Sequence, residues 1–136
     1  MIEFTVPGAA APQGSKRAVR LRNGRTVLLE SSKRLKPWRA VVALAASEAW
    51  HKPPHDGVVA LELTFRFTRP KSHLKADGSL RAGAPLMPPR PDLDKLVRGA
   101  CDGMTGVVYR DDSQVGCIWA CKEYGERDET LIGIAV

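Results

Sequence analysis

From Gly57 to Thr68 the chain reads GVVALELTFRFT, with Leu61, Leu63, Phe65 and Phe67 alternating with Glu62, Thr64 and Arg66. Successive side chains of extended backbone point to opposite faces, so this run predicts a long strand with one apolar face. Two segments have the pattern needed to cover such a face. Trp38, Val41, Val42, Ala45 and Ala49 recur at helical spacing ahead of Pro53 and Pro54, with Ser31 and Ser32 as N-cap candidates and Pro37 suited to the first turn. Leu93, Leu96, Val97, Ala100, Cys101 and Met104 mark a second amphipathic helix, with Gly106 as its terminator. Ile2, Phe4 and Val6, then 115–124 and 130–136, read as further strands. Asn23-Gly24 between Val19, Leu21 and Val27, Leu29 reads as a β-hairpin turn, since both residues tolerate positive φ. The order strand, hairpin, helix, strand, long loop, helix, strand, strand predicts an α+β fold: two main helices on a mixed β-sheet, in a single domain over residues 1–136.

The 136 residues carry 21 Lys and Arg against 15 Asp and Glu, a net charge of +6. That balance favours a polyanionic partner, nucleic acid before an anionic membrane. No apolar run approaches the roughly 18 residues that a membrane span needs. The first residues lack the basic-then-apolar order of a signal peptide, and three cysteines do not suggest a disulfide framework. The expectation is a soluble cytoplasmic protein with no membrane partner and no small-molecule cofactor.

The charge is unevenly placed. Residues 1–90 hold 16 basic and 6 acidic side chains, residues 91–136 hold 5 and 9. Lys16, Arg17, Arg20, Arg22 and Arg25 form a basic arm, and the Pro- and Gly-rich stretch from Arg69 to Pro91 adds Arg69, Lys71, Lys75, Arg81 and Arg90. Either these are solvated charges that protect a hairpin edge, or they contact phosphates; the overall charge favours phosphate contact. Five of the nine later acids fall within positions 92–112. Acids on a protein suited to phosphate make sense if a divalent cation sits between them and the ligand.

Pro91 precedes Asp92, which belongs at or just before a helix N-cap, with Asp94 in the first turn. Simple capping and dipole complementation would account for either acid alone. Asp94, Arg98 and Asp102 share the outer face of that helix, where Arg98 is either an i,i+4 ion-pair partner or a fixed cation for a phosphate oxygen. Asp111 and Asp112 stand just ahead of the strand that starts near Val115, and alternation lets at most one of them join Asp92 and Asp94. Oxygen ligands without Cys or His suit Mg²⁺ or Mn²⁺, which points to metal-assisted phosphodiester hydrolysis.

Pro91-Asp92-Leu93-Asp94-Lys95-Leu96-Val97-Arg98 and Asp111-Asp112-Ser113-Gln114-Val115 resemble the two acidic motifs of the RusA family of Holliday-junction endodeoxyribonucleases, in order and separation. Gly14-Ser15-Lys16-Arg17 and the stretch from Ser32 to Arg39 resemble the start of phage members of that family. The resemblance implies a homodimer that makes paired nicks in four-way DNA junctions with Mg²⁺ or Mn²⁺. It implies Asp92, Asp94 and Asp112 as catalytic metal ligands, with Asp111 in support. The family's usual Asn and Lys are Lys95 and Arg98 here. Arg98 keeps charge and phosphate affinity but does not readily release a proton, so its expected role is a phosphate or transition-state contact. Lys95 is the remaining amine. Lys16, Arg17, Arg20, Arg22, Arg25, Arg69, Lys71, Arg90 and Lys95 are the expected DNA contacts.

A zinc site from His51, His55, Cys117 and Cys121 is disfavoured, because prolines separate the histidines from helical pairing and the cysteines share a strand face expected to be buried. Free buried thiols and core packing of Trp38, Trp50 and Trp119 are the expectation. A non-catalytic basic DNA-binding module, or a nuclease for flaps or forks, are the competing functional readings.

Overall fold

The long apolar alternation forms the centre of the molecule. In the computed structural model, which describes residues 1–14, 16–30 and 33–136 but not the side chains at 16, 17, 29 and 30, it is strand β4 (Val59–Thr68). The other elements are β1 (Ile2–Pro7), β2 (Lys16–Arg20), β3 (Thr26–Glu30), α1 (Leu35–Ala49), α2 (Leu93–Met104), β5 (Val115–Gly125) and β6 (Glu129–Ala135). The main sheet has the order β1-β6-β4-β5, in which β1 and β4 each pair antiparallel with β6 and β4 pairs parallel with β5. A parallel pair needs a crossover, and the segment containing α2 supplies it. This is the expected α+β architecture of two helices on a mixed sheet.

Register divides the sheet into two faces. Val59, Leu61, Leu63 and Phe65 of β4 join Ile132 and Ile134 of β6 and Val6 of β1 in one core with Leu35, Trp38 and Val42 of α1 and Leu96, Ala100 and Met104 of α2. The opposite face presents Glu62, Thr64 and Arg66 of β4, Glu3 and Thr5 of β1, and Cys117, Trp119, Cys121 and Glu123 of β5. Trp38 and Trp50 are buried as expected, and the Trp50 indole N–H donates to the Pro53 carbonyl at 3.1 Å. Trp119 is not in the core; it is 62% exposed. β5 is an edge strand, and among the described residues no helix covers that face of it, so the expected burial of Trp119 and of Cys117 fails for one reason. Cys101 is buried, Cys121 half-buried and Cys117 exposed.

Arg34, rather than a hydroxyl residue, occupies the N-cap of α1, and Pro37 lies in its first turn. The expected caps Ser31 and Ser32 lie outside the described residues. The hairpin forms, but by a different turn. Gly24 N–H donates to the Leu21 carbonyl at 3.0 Å, Leu21 N–H donates to the Arg25 carbonyl at 2.8 Å, and Gly24 alone has positive φ (82°). This is the three-residue loop with an αL glycine, which matches strand twist as well as the expected two-residue turn does. The hairpin is a separate two-stranded sheet.

Two glycines let α2 lie close on α1. A Cβ at Gly103 would fall 2.8 Å from both Cβ and Cγ1 of Val42, and one at Gly99 would fall 3.1 Å from the Ala11 carbonyl and from Cζ3 of Trp38. Neither was marked by the apolar periodicity. Gly103→Ala gains about 1 kcal/mol in helix propensity but faces an overpacking cost of about 1–3 kcal/mol, because a β-branched neighbour has no room to yield. The expected net result is a lower urea midpoint with unchanged slope; a midpoint at or above wild type would show that the helices separate freely.

Candidate functional site

Asp92 is the N-cap of α2, in extended conformation, yet its side chain makes no capping hydrogen bond. Asp94 lies in the first turn. The expected positions hold, and the capping explanation weakens for Asp92, whose carboxylate is free of the helix N–H groups. Lys95 Nζ stands 3.7 Å from the Asp92 carboxylate, so the lysine in place of the family's asparagine partly neutralises it. The segment before the helix is held from the sheet: Lys122 Nζ on β5 donates to the Pro91 carbonyl at 2.9 Å. Gln13 N–H donates to the Lys95 carbonyl at 3.0 Å. Pro12, Arg90, Pro91, Asp92 and Lys95 line a shallow cavity of about 350 Å³. Asp94 and Arg98 are both exposed, and among the described residues neither forms an ion pair within 4.0 Å. The i,i+4 pairing considered for Arg98 is therefore not what occupies its guanidinium. Asp102 instead reaches Arg39 of α1 at 3.6 Å.

The second acidic motif is a built turn. Residues Asp112–Gln114 form a short 3-10 segment capped by Asp111, whose carboxylate accepts from Ser113 N–H at 2.8 Å. Hydrogen bonds from the Ser113 hydroxyl and amide, with a smaller contribution from the Asp112 carboxyl, hold Asp111 below its ordinary pKa. Asp111 is thus occupied as a cap. Asp112 carries the negative charge that, with that of Asp102, bears on Cys101 and Tyr109. Burial is the larger cause there, and the Cys101 thiol is pushed up to about 11 although the Tyr109 hydroxyl acts to lower it. Cys101 is therefore an inert thiol at neutral pH. The Tyr109 hydroxyl donates to the Cys101 carbonyl at 2.8 Å and so closes the end of α2.

These contacts fix the direction of the crossover. The start of α2 is tied near the end of β5 through Lys122, and its last turns lie by the turn that precedes β5. Cys101 is seven residues beyond Asp94, about 10 Å along the helix axis. Asp92 and Asp94 thus lie toward one end of α2 and Asp112 toward the other. Among the described residues no three His, Cys, Asp or Glu side chains come together as a metal-ligand set. The donors are carboxylates of the kind that suits a hard divalent cation, with Asp92 and Asp94 as the adjacent pair.

The expected DNA contacts divide. Arg20, Arg22 and Arg25 are exposed on the hairpin; Lys16 and Arg17 lie on β2, with side chains outside the described set. Lys71 and Arg90 are exposed. Arg69 is committed internally: its guanidinium donates to the Pro85 carbonyl at 2.7 Å and lies 4.1 Å over the Tyr124 ring, which His73 meets edge-on. The 69–91 stretch is accordingly an ordered loop, tied further by Lys75 N–H to the Ser79 carbonyl at 2.7 Å and Arg81 Nε to the Leu74 carbonyl at 3.0 Å. A larger cavity of about 470 Å³ lies at the far end of β5, lined by Arg66, Glu123 and Glu129 among others. Arg66 is paired with both of those glutamates, and the cavity contains none of the expected site residues. No helix of the described residues is long and apolar enough to cross a membrane.

Gln114 stands in the second acidic motif, and the sequence alone gives it no partner; its structural part emerges from the fold. Its side chain joins the acidic turn to residues 55–57, far away in sequence.

A relative described as the uncharacterized protein YqaN of Bacillus subtilis (strain 168) is 33% identical over 138 residues, spanning 98% of this chain and 94% of its own length. The family model described as endodeoxyribonuclease RusA matches residues 7–135, from the end of β1 to the end of β6 and through both acidic motifs. The chain belongs to the RusA endodeoxyribonuclease family.

Proposed function

We propose that this protein is a divalent-metal-dependent endonuclease that resolves four-way DNA junctions by paired symmetric nicks, working as a homodimer on DNA in the cytoplasm. The observation that carries the reading is the pair Asp92 and Asp94: exposed carboxylates on the first turn of α2, neither used as a side-chain cap, in a chain of an endodeoxyribonuclease family. Asp92 and Asp94 are the adjacent pair that would hold Mg²⁺ or Mn²⁺; Asp112, exposed beside the Asp111-capped turn at the other end of α2, is the third proposed ligand, which the described arrangement does not itself bring to that pair. A bound cation of this kind supplies a water of lowered pKa and a counter-charge for phosphoryl oxygens. Arg98 offers a permanent guanidinium to a phosphate oxygen and has no proton to exchange near neutrality. Lys95 is placed to tune the charge of Asp92. The hairpin cations, including Lys16 and Arg17, together with Lys71 and Arg90, hold the backbone. A homodimer suits a substrate with two equivalent strands to cut, and β5 offers an edge with Trp119 exposed.

One observation favours a second reading. No three donors converge in the described arrangement, as expected of a basic module that binds junctions without cutting them. Incubating the protein with a synthetic mobile four-way junction, a linear duplex and a flap, under Mg²⁺, Mn²⁺ or EDTA, separates the two. Paired nicks in the junction that need the metal support the resolvase. Tight binding without cutting under either ion leaves the binding module, and stronger cutting of the flap moves the substrate away from junctions. Binding falls steeply with salt in each case, since the contacts are mainly to phosphates.

A further inference from the structure

The side-chain amide of Gln114 has four hydrogen-bonding positions, two acceptor lone pairs and two N–H donors. All four are used. Its Oε1 accepts from Arg110 N–H at 2.9 Å and from Asp111 N–H at 3.0 Å, while its Nε2 donates to the His55 carbonyl at 2.8 Å and the Gly57 carbonyl at 2.9 Å. The amide orientation is fixed by its partners, because two N–H groups require the oxygen and two carbonyls require the nitrogen. The partners lie on both sides of a joint. Residues 110 and 111 lead into Asp112, and residues 55–57 lead into β4, the central strand. The same joint carries an ion pair between Asp56 and Arg110 and a hydrogen bond from His55 N–H to the Val108 carbonyl at 2.8 Å.

Asp111 is turned into the segment as its cap, and Gln114 fastens the segment to the sheet. Asp112 lies between them and is exposed. We infer that Gln114 is a positioning residue for Asp112: it sets the height and direction of that carboxylate by clamping the 110–114 turn to the entry of β4. The inference rests on the proposed role of Asp112 in holding the metal. The Gln114 side chain is spent on backbone groups, and its effect passes through the backbone of the turn.

The test uses the full chain and two variants. Gln114→Met keeps length and removes all four bonds; Gln114→Glu keeps the acceptor but sets a carboxylate against two carbonyl oxygens. In metal-free protein, hydrogen exchange at Arg110 and Asp111 is expected to quicken at least tenfold in Gln114→Met, with β4 and β6 unchanged. In the junction assay both variants are expected to cut at least tenfold more slowly, to bind the junction in EDTA within twofold of wild type, and to need several-fold more Mn²⁺ for half-maximal cutting. Excess Mn²⁺ restores part of the rate, which general unfolding would not allow.

Asp112→Asn is the reference. If it abolishes cutting while both Gln114 variants cut as wild type, the positioning role is overturned and the metal reading stands. If Asp112→Asn itself cuts as wild type, the role assigned to Asp112 falls and the inference falls with it. Unchanged exchange at Arg110 and Asp111 overturns the clamp whether or not the protein cuts. Should Gln114→Met prove too unstable to purify, Gln114→Glu decides the question by the cutting rate and the Mn²⁺ requirement, since it keeps the acceptor for Arg110 and Asp111 and loses the two bonds to residues 55 and 57.

Discussion

Asp94→Asn is expected to lower metal-dependent junction cutting by a factor of about 10² to 10⁴, while junction affinity in EDTA stays within about twofold of wild type. The rate loss corresponds to about 3–5 kcal/mol of transition-state stabilisation, the scale on which a metal site contributes. Binding persists because Asp94 is an acid, and removing it cannot take away a phosphate contact. The variant also separates catalysis from helix stabilisation. An acid in the first turn of a helix contributes only about 0.3–1 kcal/mol by complementing the dipole, so the urea midpoint should barely move. If cutting survives and only the midpoint changes, Asp94 is a helix-stabilising acid and nothing more. Asp92→Asn gives a parallel measurement, made cleaner because the Asp92 side chain makes no capping bond that the change could break.

Phe65→Ala is expected to cost about 3–5 kcal/mol, a large share of the stability of a domain this size. Phe65 is fully buried on the central strand, between Thr130 of β6 and Lys122 of β5. Its ring centroid is 6.5 Å from that of Trp38, tilted by 49°. Trp38 is in turn close to Gly99, so the two rings join the sheet to the contact between the helices. Truncation leaves a cavity bounded by backbone on two strands and by an indole on a packed helix, none of which can collapse far. Phe67→Ala, at a half-buried position on the same face, is the control and should cost clearly less. Equal losses, read from urea midpoints at constant slope, would show that Phe65 is not at the centre of the core.

The elements that periodicity could identify are those whose partners are implied by the pattern itself. β4 alternates strictly because one side meets helices and the other does not, and α2 carries its apolar residues on one stripe. The boundaries of α2 matched because Pro91, Asp92 and Gly106 mark its ends by backbone chemistry. What escaped depended on partners distant along the chain. Trp119 reads as core until the strand order makes β5 an edge. Arg69 reads as a phosphate contact by charge alone, whereas Tyr124 and Pro85 take its guanidinium. Gly99 and Gly103 interrupt a helical stripe and look like weak points, but their value lies in the closeness of α1. Asn23-Gly24 announced a turn correctly; the dipeptide did not say which of two twist-compatible turns it would adopt. At the candidate site the motif gave the carboxylates and their order. The place of Asp112 by the far end of α2, and the clamp at Gln114, came only with the fold.

The uncovered face of the sheet bears on how the molecule meets its substrate. Glu3, Glu62 and Glu123 lie on it, and its one arginine, Arg66, is neutralised by Glu123 and Glu129. That face is net negative while the whole chain is +6, so the rest of the molecule, the hairpin, the helical layer and the loop, carries more than the net surplus. Near a polyanion such a body experiences a torque as well as an attraction. It turns before it touches, and an encounter that begins with the acidic face toward the phosphates is repelled rather than retained. Orientation is thus sorted during diffusion, before any residue of the site has made contact.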